Sequence, residues 1–262
     1  MKRNTVLWIV VAAVVVLAIG LAMKKPAEKA APGEAQKELP VLKVGTDAAF
    51  PPFEFQDEKT GELKGFDLDL IRAIADEMGM KAEIINTAWD GIIPGLLNGN
   101  YDVIASGMTI TDERAQSVDF SDPYFTAGQV IVVLAENETI KTPQDLTGKK
   151  VSCQINTTGD LAASKMKGIA EIKRFNLAPD AFLELKNGGV DACIMDRAVA
   201  EDFVKQDKSF KIVGNPITVE YYGFAIRKGR EDLLKEINRA LAALKSSGKY
   251  DEIYAKYFGT ES

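Results

Sequence analysis

The chain contains no histidine among its 262 residues. Ser-His-Asp and Cys-His catalysis, and zinc or iron sites ligated by imidazole, all need that side chain, so those chemistries are excluded. Cysteine is nearly as scarce: Cys153 and Cys193 are the two that occur, without the paired spacing of a zinc site or a redox motif. Each lies in an apolar, strand-like run, KKVSC and VDACIM. Buried free thiols are the expectation, with a disulfide between them as the alternative. An excess of positive charge is missing too. The 32 Lys and Arg stand against 38 Asp and Glu, a formal net charge of -6, and no basic cluster occurs in the body of the chain. Phosphate neutralisation needs such a cluster, so no nucleic-acid partner is expected, and nothing calls for a cofactor or metal. What is present, 46% hydrophobic and 27% charged residues, is the composition of a globular protein with a sizeable core.

The one long uncharged apolar run is N-terminal. Lys2 and Arg3 precede it, it extends from Val6 to Met23, and Lys24 and Lys25 follow. This reads as an export signal, residues 1–23, with small residues for cleavage at Gly20-Leu21-Ala22; left uncleaved, it is long enough to anchor the chain in a membrane. Residues 24–40, rich in Ala, Pro, Glu and Lys, read as a flexible tether. A periplasmic or otherwise extracytoplasmic location follows.

From residue 41 the hydrophobic pattern switches repeatedly between strand and helix. Val41–Thr46 reads as a strand, and Phe66, Leu70, Ile71, Ile74 and Met78 recur at helical spacing up to Gly79. Strands at Ala82–Ile85 and Tyr101–Ser106, with a short helix at Gly91–Leu97 between them, complete a βαβαβ unit. The order returns as strand Lys150–Gln154, helix Asp160–Met166, strand Glu171–Phe175, helix Asp180–Lys186 and strand Val190–Met195. Two such units predict an α/β protein of two lobes, each a mainly parallel sheet with helices on both faces. Residues 127–137, AGQVIVVLAEN, read as one long strand crossing to the second lobe, and 218–227, TVEYYGFAIR, as one crossing back. Helices at Leu233–Lys245 and Tyr250–Tyr257 then rejoin the first lobe. The predicted division is 41–126 plus 223–262 against 127–222, with hinge crossings near 124–129 and 218–223.

Ligands of open α/β sheets sit outside the carboxyl ends of the strands. Those ends carry Asp47, Ser106-Gly107-Met108-Thr109, Gln154 followed by Thr157-Thr158-Gly159, and Asp196. Two such rims face each other across a cleft, and the stiff corner VGTDAAFPPFEF at 44–55 puts Asp47 and Phe50 on its wall. Arg114, behind a Thr111 N-cap, suits a carboxylate that it can grip with two N–H groups; pairing with Asp112, Asp119 or Asp122 is the alternative. The helix start at Thr157 and Thr158 also favours an anion. Asp196 can hold an ammonium group, cap the helix that starts at Arg197, or both. Phe50 and Trp89 can sandwich a flat or cationic side chain or belong to the core, and Asp47 and Gln154 would address the ligand's distal end.

The run GFDLDLIRAIADEM at 65–78, with GTDAAFPPFEF, SGMTITDER, FSDPYF and QINTTGD, closely resembles the family 3 extracellular solute-binding proteins of polar amino-acid ABC importers, across residues 41–259. The resemblance implies a periplasmic-binding-protein type II clamp with two hinge strands, monomeric and without enzymatic activity. It further implies a free L-amino acid as ligand and an ABC permease in the inner membrane as partner. By resemblance, Arg114 with Thr109 and Thr158 takes the α-carboxylate, and Asp196 with the Gly107 carbonyl takes the α-amino group. Asp47, Phe50, Trp89, Ser106, Gln154 and Thr157 complete the implied site. Asp47 with two aromatic faces favours arginine or another basic amino acid, and glutamine second. Cyclohexadienyl dehydratases share the fold and are the enzymatic alternative. They carry a glutamate three residues after the equivalent of Asp196, where this chain has Val199. Many relatives have Gly before the paired threonines; Asn156 stands there in this chain and tolerates the same left-handed angles. Arg197, unexpected after Asp196, is predicted to point into solvent.

Overall fold

The computed structural model describes residues 39–259; the predicted export signal and the tether up to residue 38 lie outside the described residues. The first lobe opens with β1 (Val41–Thr46), a small sheet of β2 (Ala49–Phe50), β3 (Glu54–Gln56) and β4 (Leu63–Lys64), and α1 (Phe66–Glu77). It continues through β5 (Lys81–Asn86), α2 (Ile92–Leu97), β6 (Val103–Ile104), α3 (Asp112–Ala115) and β7 (Val118–Phe120). The chain crosses along β8 (Phe125–Ala127) and enters the second lobe as β9 (Gln129–Leu134). There follow β10 (Lys150–Gln154), α4 (Thr158–Lys165), β11 (Glu171–Phe175), α5 (Ala178–Lys186), β12 (Ala192–Asp196), α6 (Arg197–Gln206) and β13 (Phe210–Val213). The return runs through β14 (Glu220–Tyr222) to β15 (Ala225–Arg227), and α7 (Glu231–Ser247) and α8 (Lys249–Phe258) then pack on α1.

The two five-stranded sheets have one design. Their orders are β5-β1-β6-β15-β7 and β11-β10-β12-β9-β13. In each, the second strand pairs in parallel with both neighbours, while the fourth, β15 or β9, runs against both of its own. That reversed strand is the one that has just crossed between lobes. It arrives from the cleft, where the other strands end, so it must run the opposite way. Alternate residues face opposite sides, as the pleat requires. Val103 packs with α1 and Ile104 with α2, just as Val132 packs with α5 and Ile131 with Ala163 of α4.

The crossing segments differ from the long strands expected of them. Residues 127–137 and 218–227 break at Gly128 and Gly223, and the short pieces β8 and β14 pair with each other as an antiparallel ribbon between the lobes. At Gly128 a Cβ would lie 2.3 Å from the Thr218 carbonyl oxygen, so only glycine admits this approach. The ribbon is set in aromatic packing: the Phe53 ring lies 4.8 Å from that of Phe125 and 5.1 Å from that of Tyr222. The strand expected at Tyr101–Ser106 shortens to Val103–Ile104 because Tyr101 turns its ring inward, against the backbones of Gly45 and Gly95. Helix α4 starts two residues before its expected Asp160. Cys153 and Cys193 are buried free thiols. Among the described residues, no helix is long and apolar enough to cross a membrane.

Candidate functional site

The carboxyl ends of β1, β6, β10 and β12 converge on a cavity between the lobes. Asp47, Phe50, Trp89, Ser106, Gly107, Thr109 and Arg114 line it from the first lobe, and Gln154, Thr157, Thr158 and Asp196 from the second. Every residue singled out in the sequence is therefore brought to one place. Glu54, which sequence reasoning passed over, lines it as well. The β2–β3 pairing sets Phe50 directly opposite Glu54, so the two side chains share a face of the hairpin. A tight turn over Pro51, Pro52 and Phe53 was the available signal: it makes Phe50 and Glu54, which flank it, cross-strand partners.

One end of the cavity is built to donate. Thr111 Oγ1 caps α3 by accepting the Arg114 backbone N–H at 3.2 Å. The guanidinium donates to the Thr109 carbonyl at 2.8 Å, reaches the Asn156 carbonyl across the cleft at 3.4 Å, and lies 5.1 Å from the Trp89 ring centroid. Among the described residues Arg114 makes no ion pair, so Asp112, Asp119 and Asp122 do not claim it. Facing it, Asn156 adopts the left-handed φ of 59° and Thr157 Oγ1 caps α4 through the Asp160 N–H at 3.2 Å. The Thr109 and Thr158 hydroxyls, one from each lobe, come within 3.5 Å of each other. Both donate to the same carboxylate oxygen of Glu220 on β14, at 2.9 and 2.7 Å. Trp89 Nε1 adds a further cross-lobe bond to the Asn156 carbonyl at 3.2 Å.

The rest of the lining is acidic. Asp196 stands at the head of α6, yet its side chain makes no cap bond; it accepts the Tyr222 hydroxyl at 2.6 Å instead. Burial, reinforced by Glu220, raises its pKa to about 6. Asp47 accepts the Gln154 side-chain amide from across the cleft at 3.0 Å, and burial raises it to about 6 against the pull of that bond. Its backbone N–H is held by Ser106 Oγ at 2.9 Å, and that hydroxyl donates to Glu54 at 3.1 Å. Glu54 is 0% exposed, and burial and then neighbouring Asp67 raise its pKa well above the usual carboxylate range. Asp67, in the first turn of α1, accepts the Gly107 N–H at 2.7 Å and the Tyr124 hydroxyl, and burial lifts it to about 7. Buried carboxyls of this kind are short of positive charge. Arg197 turns outward to Glu201, clear of the site.

A two-lobed clamp whose crossing ribbon backs a polar cleft is the architecture of the type II periplasmic binding proteins, and the cleft makes the class one of solute receptors. The family model of bacterial extracellular solute-binding proteins, family 3, matches residues 42–260, and the chain belongs to that family. It is 43% identical over 227 residues to a probable histidine-binding protein of Neisseria gonorrhoeae, covering 84% of each chain. An ancestral arginine-binding protein, solved with arginine and with glutamine, is 50% identical at a TM-score of 0.81, over 84% of this chain and 98% of that one. An ancestral amino acid-binding protein that is a precursor of cyclohexadienyl dehydratase is 45% identical at a TM-score of 0.79, over 83% and 95% of the two chains.

Proposed function

We propose that the protein is an extracytoplasmic receptor that captures a free polar L-amino acid between its lobes and delivers it to the permease of an ABC importer. The observation that carries this reading is the polarity of the cavity. A guanidinium that makes no ion pair among the described residues, two threonine hydroxyls and the start of α4 lie in the same cavity as Asp196, which can meet an ammonium group. A zwitterion fits such a pair of charges. Asp47 and Glu54 add negative charge beyond what an α-amino group needs, which favours a basic side chain: arginine first, glutamine second. The relatives whose names specify histidine and arginine support the same preference. The β8–β14 ribbon acts as the hinge, with lobe one at 41–126 plus 223–262 and lobe two at 127–222, and the receptor works as a monomer. Catalysis is not part of this function: Val199, where the dehydratases carry an acid, is buried and apolar. A thermal-shift and calorimetric screen of the common amino acids tests the reading. Arginine should stabilise most, by about 2.7 kcal/mol at a hundred times its Kd; no response to any amino acid would overturn it.

A further inference from the structure

We propose that Glu54 is a ligand-facing counter-charge, and that it sets how strongly the site prefers a cationic over a neutral side chain; this rests on the amino-acid-receptor reading above. Glu54 sits across from Phe50, both line the cavity, and nothing of Glu54 reaches bulk water. Its Oε1 accepts the Ser106 hydroxyl, while its Oε2 has no partner among the described residues. The other two acids of the lining have theirs: Asp47 is held by Gln154 and Asp196 by Tyr222. Among the three, Glu54 is thus the one with an acceptor still to satisfy, and a buried carboxylate oxygen without a partner is costly.

Charge then decides what satisfies it. The lining holds the carboxyls of Asp47, Glu54 and Asp196 against the single guanidinium of Arg114. The ammonium and carboxylate of any amino acid cancel each other, so a neutral ligand leaves the surplus of acid unchanged. Glu54 must then keep its proton. A cationic side chain supplies the missing positive charge and lets Glu54 ionise, releasing that proton as the ligand enters. The charged groups that face Glu54 oppose its ionisation: Asp67 from α1, Asp47 beyond β1 and Asp196 at the end of β12 all repel, and the one guanidinium of the lining is that of Arg114. A ligand cation is what shifts that balance.

Selectivity therefore depends on pH. The ratio of arginine to glutamine affinity should rise with pH by up to about tenfold per unit while Glu54 is the group that loses the proton. Isothermal calorimetry with both ligands, from about pH 5 to about pH 8 and in two buffers of different ionisation enthalpy, measures the ratio and the proton count together. Wild type should release a proton on binding arginine but not glutamine. Glu54→Gln should lower the arginine-to-glutamine ratio at neutral pH by about tenfold or more and flatten its pH dependence. Glu54→Asp, which retains the charge, should keep the slope. A wild-type ratio and slope in Glu54→Gln, or no proton release by wild type on binding arginine, would overturn the proposal while leaving the receptor reading intact. Binding of neither amino acid by wild type would remove both.

Discussion

Asp196 occupies a helix N-cap position and does not cap. Its carboxylate faces Tyr222 and the cavity, so α6 owes it nothing. Asp196→Asn should consequently weaken amino-acid binding by about 2–5 kcal/mol with little change in melting temperature, a pattern that calorimetry and thermal melts together will distinguish from a lost cap. Arg114→Met should act alike on the carboxylate side, with a similar loss of about 2–5 kcal/mol, since it leaves the ligand's carboxylate without its partner. Both residues were legible in the sequence because the motif around each is local: Thr111 caps the turn that carries Arg114, and Asp196 closes an apolar strand. Glu54 and Glu220 were not. Glu54 is hidden in the alternating Phe-Glu-Phe of a strand, and its inward face is fixed only by pairing with Phe50. Glu220 meets Thr109 and Thr158, which lie 111 and 62 positions away in the chain. No local pattern could bring those together.

The elements followed the same division. β1, β10 and β11 begin and end where the sequence pattern placed them. The crossing segments read as unbroken strands because the apolar runs VIVVL and YYGFAI outweighed the single glycine at each break, Gly128 and Gly223. The break is imposed from outside, by the Thr218 carbonyl pressing on Gly128. Gly128→Ala should force the strands of the β8–β14 ribbon apart and cost about 1–3 kcal/mol of stability, readable as a lower urea midpoint at an unchanged m-value. Gly79, where a Cβ would meet nothing within 4 Å, lies outside the ribbon. Its φ of 67° makes Gly79→Ala destabilising through local backbone strain alone, so the pair of variants contrasts a clash with a conformational cost.

Across the whole molecule the buried acids set a pH dependence whose sign is fixed. Asp47 and Asp196 at about 6 and Asp67 at about 7 all lie above the value they take in an unfolded chain. Between about pH 4 and pH 7 the folded protein therefore holds more protons than the unfolded one, and its stability falls as pH rises, by about 1.4 kcal/mol per unit for each such group. Asp207, held at about 2 by Lys186, acts in the opposite sense but below that window. Melting temperatures of ligand-free protein should thus decline towards neutrality, and the increment given by arginine should grow over the same range. A flat profile would mean that these carboxyls are solvated in solution. The clasp of Glu220 on Thr109 and Thr158 bears on loading in a different way. A hydroxyl has one proton to give. Two threonines committed to Glu220 cannot also donate to an arriving carboxylate, so filling the site exchanges an internal anion for an external one. Glu220→Gln, which keeps an acceptor but loses the charge, should weaken the competitor and slow ligand dissociation, which stopped-flow displacement would measure; a faster off-rate would mean that Glu220 supports the bound state instead. In this structure the Glu220 carboxylate thus occupies the two hydroxyls that the proposed cargo's acid group would need, so capture would also be an eviction.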